Sequence, residues 1–198
     1  FYKINNSKNL KDIFSLIFPE LKYLNRINFT VSNEKVFYTN LSHKFALLTI
    51  DDSNNFEYFC HKYKTSNNVS ERMRVIAIEY KNAKKDNKYF EKNLGKKTYL
   101  LGKEILKILN LLLFSDKIST NNTTYKKKYD FYNFINQEIE KNKIPNFPFD
   151  GNYLKQNGFK EGASLGKTLK LLEAEWIAQD FKISEKRAFE IINNQKRN

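Results

Sequence analysis

The chain has 198 residues, of which 40% are hydrophobic and 15% aromatic, so a disordered tail is excluded and one large or two small domains are allowed. No apolar run approaches the roughly 20 residues of a membrane span, and no secretory signal begins the chain, so we expect no membrane partner. The net charge of +13 leaves two explanations open: a nucleic-acid partner, or a codon bias that favours lysine.

The single cysteine of the chain, Cys60, excludes an internal disulfide framework. A reducing compartment is the usual environment of such a protein, and we expect the cytoplasm. The chain begins with Phe1 and not with Met, and such a start is typical of a fragment of a longer protein.

Helical periodicity of apolar residues runs through the first two thirds of the chain. Asn68, with Glu71 three residues later, predicts a capping-box start for one of these helices. Residues 36–40 read as a strand, but no alternating partner strand accompanies them. The predicted helices cover residues 8–18, 41–50, 53–64, 67–85, 96–116 and 123–142. The sequence therefore predicts an all-α fold.

A domain boundary is predicted at "KIPNFPFDG", which holds two of the three prolines. A residue before proline is pushed out of the helical region, so we expect residues 144–149 to be extended. Residues 1–143 then form a helical body, and residues 144–198 a tail module rich in glycine and lysine.

The tail module is expected to contain three helices. Asp150 caps the first, and Gly158 ends it. The second has one apolar face, and the last begins at Ser184. The apolar face of the second helix is formed by Leu165, Leu169, Leu172 and Trp176.

Four of the six glycines lie in this module, at Gly151, Gly158, Gly162 and Gly166. Lys167 and Lys170 follow in the first half of the second helix, the reverse of the order that the helix dipole prefers. Lysines beside exposed backbone N–H groups favour a phosphate site. The alternative is that the glycines only allow two helices to pack closely, and the spacing alone does not decide between the two.

The segment "FPFDGNYLKQNGFKEGASLGKTLKLLEAEWIAQDF" resembles the C-terminal signature of bacterial tRNA nucleotidyltransferases, the CCA-adding enzymes grouped with the poly(A) polymerases. Ala163 stands where that family usually has proline. Upstream, "LSHKFALLTIDDSNN" and "KYKTSNNVSERMRVI" are similar to further segments of the family, so the resemblance covers roughly residues 10 to 190. It implies the RNA-binding C-terminal half of such an enzyme, with an all-α fold.

The catalytic half of that family has no counterpart in this chain. Its nucleotide-binding "GGxVRD" turn and its paired Asp-x-Asp are missing, and Asp51 and Asp52 are adjacent residues in a polar turn. Without paired carboxylates we expect no two-metal site and no nucleotide addition by this chain alone. The two histidines and Cys60 lack metal-ligand spacing, and "GASLGKT" is one residue too short for a phosphate loop. No catalytic residue, metal site or cofactor is predicted.

The leading hypothesis is that the chain binds tRNA or another structured RNA through its phosphates, beside a catalytic head on a separate subunit or a missing segment. The candidate RNA-binding residues of the tail module are Lys155, Lys160, Gly162, Gly166, Lys167 and Lys170. A second candidate patch comprises Arg72, Arg74, Lys84, Lys85, Lys96 and Lys97. The alternatives are a protein-interaction module, a remnant of a split nucleotidyltransferase gene, and a helix-hairpin-helix DNA binder.

Overall fold

Every regular element that the structure describes is an α-helix, which confirms the all-α prediction. The structure is a computed structural model that describes residues 7–28, 40–118 and 125–196. Residues 36–39 of the strand-like segment lie outside these ranges. The helices within them are α1 (Lys8–Ile17), α2 (Leu24–Asn28), α3 (Leu41–Thr49), α4 (Asn55–Lys62), α5 (Asn67–Lys85), α6 (Leu94–Ile118), α7 (Tyr125–Lys141), α8 (Gly151–Gln156), α9 (Ala163–Ala178) and α10 (Glu185–Lys196).

The chain divides into two compact units, with the division between Asn142 and Lys143. Unit 1 contains α1 to α7, and unit 2 contains α8 to α10. Each unit has its own buried apolar cluster. Within the described ranges, no helix combines the length and the apolarity needed to cross a membrane.

Unit 1 is built around α5 and α6. Helix α6 packs along α7, and α5 packs against α3, α4 and α6. Leucine, isoleucine and aromatic side chains from these helices form one continuous core. The core follows from the apolar stripes seen in the sequence, because α3 to α7 turn their stripes inward. Helix α1 has no buried residue.

A buried cation, Arg26 of α2, connects distant parts of unit 1. Its guanidinium donates to the carbonyls of Leu47 and Ile50 at 3.1 and 2.7 Å, and to the carboxylate of Asp116 at 2.8 Å. The hydroxyl of Tyr80 donates to the other oxygen of Asp116. Because the arginine is only 3% exposed, these acceptors replace the water that its charge would otherwise hold.

Two details of the predicted helices are wrong. Helix α5 is capped by Ser66, whose hydroxyl accepts from the N–H of Val69 at 3.4 Å, and not by Asn68. Glu71 pairs with Arg74 in the next turn. Helix α6 is interrupted at Gly102, which has φ of 79° and ψ of 156°, whereas the sequence predicts one continuous helix there.

Candidate nucleic-acid interface

Unit 2 begins with local signals that fix its first helix. The carboxylate of Asp150 accepts from the N–H of Tyr153 at 2.8 Å, which starts α8. Gly158 ends the helix in the left-handed region, with φ of 86°. The N–H of Phe159 then donates to the carbonyl of Leu154, and both side chains enter the core of the unit. Both predicted boundaries of this helix are confirmed.

Helix α9 starts at a glycine that leaves its first turn open. The N-cap residue is Gly162, with φ of 145° and ψ of −169°, and no side chain caps the helix. No acidic residue lies in the first turn. The N-terminal N–H groups of a 16-residue helix therefore keep both their partial positive charge and their hydrogen-bonding capacity for an anion.

The two faces of α9 divide its residues sharply. Thr168, Leu172 and Trp176 are buried, and Trp176 is only 3% exposed. At 100° per residue, Lys167 and Lys170 lie on the opposite face, and both are exposed. Ala163, Ala174 and Ala178 are exposed on the same face, and Gly166 and Ile177 are half-buried there. Glu173, three residues after Lys170, is half-buried at the edge of this face. The result is a surface of mostly small residues with two exposed cations, which a phosphate backbone can approach closely.

Close helix packing does not account for the glycines at the start of α9. A Cβ atom added at Gly166 or at Gly162 would meet nothing within 4 Å among the described residues. At Gly151 the nearest atom would be a methyl carbon of Leu165 at 3.8 Å, an ordinary contact. Gly162 is required by its backbone conformation, whereas Gly166 has neither a backbone nor a packing requirement in unit 2.

A groove of about 540 Å³ lies at the open end of α9. Its walls come from the 158–162 turn, from Ala163 and Ser164, and from the last residues of α10. The Nζ atom of Lys196 lies 3.9 Å from the position that a Cβ of Gly158 would occupy. Lys160 is exposed on the same turn. Lys160 and Lys196 therefore line the groove at the start of α9, together with Glu161, which pairs with Lys155.

The lysines of unit 2 differ in whether a carboxylate neutralises them. Lys155 pairs with Glu161, and the hydrogen bond from its ammonium lowers the pKa of that carboxyl. The other ion pairs among the described residues of this unit use Arg187. Three of the predicted lysines have no carboxylate partner there, namely Lys160, Lys167 and Lys170.

Unit 2 owes this cationic face to the arrangement of its charges and not to their number. Residues 143–198 carry ten Lys or Arg side chains against seven Asp or Glu side chains. Two of the acids are occupied by other cations: Glu161 pairs with Lys155, and Glu175 accepts two hydrogen bonds from Arg187, at 2.9 and 3.4 Å. The exposed face of α9 therefore stays cationic.

The second predicted patch is dispersed over unit 1. Arg72 and Arg74 lie near the start of α5, and Lys84 and Lys85 lie at its end, about 18 Å away at 1.5 Å per residue. Arg72 pairs with Glu104 at 3.3 Å, Arg74 pairs with Glu71 at 2.6 Å, and Lys84 pairs with Asp52. These three side chains are occupied by partners within the unit.

Of the remaining members of that patch, Lys97 is occupied in the same way. Lys97 is half-buried, donates to the carbonyl oxygens of Tyr89 and Lys92, and places its ammonium 3.8 Å from the centre of the Tyr89 ring. Burial lowers the pKa of Lys97. Lys96 is half-buried, and Lys85 is exposed. The structure thus brings together the predicted residues of unit 2 more closely than those of unit 1.

Lys196 is the member of this site that sequence reasoning missed. It stands 26 residues after Lys170 in the sequence, at the end of a different helix. Only the packing of α10 against α9 brings it to the groove. The sequence shows a basic residue in the last turn of the final helix, but the position of its side chain depends on how that helix packs.

The described residues offer no obvious metal chemistry. No group of three or more His, Cys, Asp or Glu side chains in the described ranges could hold a metal ion. What the groove can do chemically is to bind an anion, with backbone N–H groups as donors and ammonium groups as counter-charges.

Comparison with known proteins finds no family model, no curated protein and no solved structure that matches the chain.

Proposed function

We propose that this chain is the RNA-binding C-terminal portion of a protein of the tRNA nucleotidyltransferase or poly(A) polymerase type. It holds tRNA or another structured RNA in the cytoplasm by phosphate contacts, which position the RNA without reading its sequence. The chain does not add nucleotides by itself, and a catalytic head on another segment or subunit performs that reaction. The resemblance in residues 147–181 supports the choice of family.

The observation that carries this proposal is the open, cationic start of α9. Lys167 and Lys170 lie on a smooth exposed face, without carboxylate partners among the described residues of unit 2. The uncapped N–H groups lie at the N-terminus of the same helix, and Lys160 is exposed in the turn before it. Phosphates of a nucleic-acid strand fit both features, because they accept from N–H groups and neutralise lysines.

The test is tRNA binding measured by fluorescence anisotropy at several salt concentrations. A Lys167→Ala/Lys170→Ala double variant removes two phosphate contacts, and each contact contributes roughly 0.7 to 0.9 to the slope of log K against log salt. We therefore expect this slope to fall by about 1.4 to 1.8. Wild-type binding should also be stronger for tRNA than for duplex DNA.

The matched control is a Lys182→Ala/Lys186→Ala variant, which removes the same charge from exposed positions after α9, one in the following turn and one in α10. It should keep the wild-type slope. Equal losses in the two double variants would mean that only net charge matters, and the α9 site would then be rejected. The absence of tRNA binding by the wild-type chain would reject the proposed function itself.

A protein-interaction module is the second candidate function, and α1 favours it. This helix has no buried residue, and its side chains Ile13, Leu16 and Ile17 are 54%, 83% and 59% exposed. An apolar face of this kind fits docking onto a separate catalytic head or onto a second copy of the chain. Association that does not respond to salt, combined with no RNA binding, would favour this alternative.

A further inference from the structure

Unit 1 contains a cavity that the proposed function does not use. It has a volume of about 500 Å³ and lies between the end of α5, the turn at residues 86–91, α6 and α7. Cavities of this size accommodate ligands of a few hundred daltons, and such sites are mostly apolar with a few polar groups. Aromatic rings supply much of the wall, from Tyr89, Phe90, Phe114, Phe131 and Tyr132.

One of these rings is unusually accessible. Phe131 is 46% exposed, whereas Phe90, Phe114 and Tyr132 are 9%, 6% and 6% exposed. The Nζ atom of Lys117 lies 5.9 Å from the centre of the Phe131 ring. A flat aromatic ligand could therefore stack on Phe131 inside the cavity while its polar edge stays near a cation.

The mouth of the cavity is cationic. Lys127 and Lys128 line it from the first turn of α7, a 17-residue helix without an acid in that turn. Two lysines at the positive end of a helix dipole are unfavourable on their own, and a bound anion would relieve that repulsion. The ammonium of Lys128 also donates to the carbonyl of Lys117, which holds this lysine beside the mouth.

The carboxylates at this cavity are mostly occupied by other cations. Asp86 pairs with Lys92 at 3.0 Å, and Asp116 pairs with Arg26 at 2.8 Å. Glu91 is the third acid in the wall. An anionic ligand at the first turn of α7 therefore meets two ammonium groups, those of Lys127 and Lys128.

We propose that this cavity binds a nucleotide, with its base stacked on Phe131 and its phosphate held by Lys127 and Lys128. The nucleotide is either an unpaired residue of an RNA strand or a free mononucleotide, because both present the same base and phosphate. The proposal does not rest on the proposed function, since the cavity belongs to unit 1 and the α9 site to unit 2.

The test uses the full chain and a short fluorescein-labelled single-stranded RNA, followed by anisotropy. A Phe131→Ala variant removes the stacking platform. Stacking on one aromatic ring contributes about 1–3 kcal/mol, so we expect affinity to fall about 5- to 140-fold. The control is Phe134→Ala on the same helix, where the side chain is 53% exposed and does not line the cavity. It should bind like the wild-type chain.

The charge contribution is tested in the same way. Lys127→Ala should weaken binding and lower the salt slope by about 0.7. Its control, Lys126→Ala, removes the same charge from an exposed neighbour that does not line the cavity. Lys126→Ala should weaken binding less, and lower the salt slope less, than Lys127→Ala does. Equal effects of these two lysine variants would contradict a phosphate site at the mouth.

Competition experiments distinguish the two sources of nucleotide. Displacement of the labelled RNA by AMP or CMP would support a free mononucleotide, whereas displacement only by base-bearing oligonucleotides would support an RNA strand. Equal competition by an abasic oligonucleotide, or equal affinities of the Phe131→Ala and Phe134→Ala variants, would overturn the proposal. So would the absence of binding to both the RNA and the mononucleotides. A Lys167→Ala/Lys170→Ala variant, altered only in unit 2, should keep the Phe131-dependent component.

Discussion

Replacing Gly166 and Gly162 by alanine, one at a time, is expected to shift the stability of unit 2 in opposite directions. Gly166 is helical, and a Cβ there would meet nothing within 4 Å, so the substitution gains only the helix preference of alanine, about 0.5–1 kcal/mol. Gly162 has φ of 145° and ψ of −169°, a conformation that suits glycine alone, so alanine there costs about 1–3 kcal/mol.

The assay is urea unfolding followed by tryptophan fluorescence. The chain has one tryptophan, Trp176, which is buried in unit 2 against the rings of Phe147 and Phe181. Its emission therefore reports the unfolding of this unit. With a denaturant slope of about 1 kcal/mol per molar urea, Gly166→Ala should raise the midpoint by about 0.5–1 M, and Gly162→Ala should lower it by about 1 M or more.

A lower midpoint for Gly166→Ala would refute this reasoning. It would mean that the added methyl group meets a neighbour, and that this glycine serves close packing and not an open surface. A wild-type midpoint for Gly162→Ala would show that the turn adopts another conformation at no cost. Either result would remove the geometric basis for an open start of α9.

Two further predictions concern unit 1. Arg26→Met should lower the free energy of unfolding of unit 1 by about 3 kcal/mol, because Asp116 and two carbonyls lose their donor. The measurement is urea unfolding followed by circular dichroism. An unchanged midpoint would contradict a structural role for this ion pair. His43 is buried, its Nε2 atom has no hydrogen-bond partner among the described residues, and burial lowers its pKa. The unfolded chain therefore takes up a proton first, so the contribution of His43 to stability is fully present above about pH 6.5 and is lost as the pH falls below that value. Unfolding midpoints at about pH 7.5 and about pH 5.5 should differ less for His43→Leu than for the wild-type chain, and equal differences would exclude His43 as a source of the pH dependence.

Much of the fold was predictable because its signals are local. The start of α8 at Asp150 and its end at Gly158 depend on a cap and a left-handed residue that the sequence itself displays. The break at Gly102 was not predicted, since the apolar periodicity continues on both sides of it. The sequence predicts the cap of α5 two residues late, because Ser66 and Asn68 are both good N-cap residues and only the backbone geometry decides between them.

The candidate site was predictable only where one helix determines it. Lys167 and Lys170 are three residues apart on α9, so helical geometry alone puts them on one face. Arg72 and Lys84 looked equally available in the sequence, yet their partners Glu104 and Asp52 lie 32 residues away along the chain. Pairing at that distance depends on tertiary packing, which periodicity and composition do not encode.

The contact between Arg26 and Asp116 has a consequence for the order in which the chain folds. The two residues are 90 positions apart, so during synthesis the arginine leaves the ribosome long before its carboxylate exists outside the tunnel. Contacts with such large sequence separation form slowly, because a long loop must close first. The three helices of unit 2 lie within residues 151–196 and meet over much shorter separations. Unit 1 is therefore expected to complete its core only after α6 has emerged, and a nascent chain stalled before Asp116 would expose a charged residue that the finished protein keeps buried.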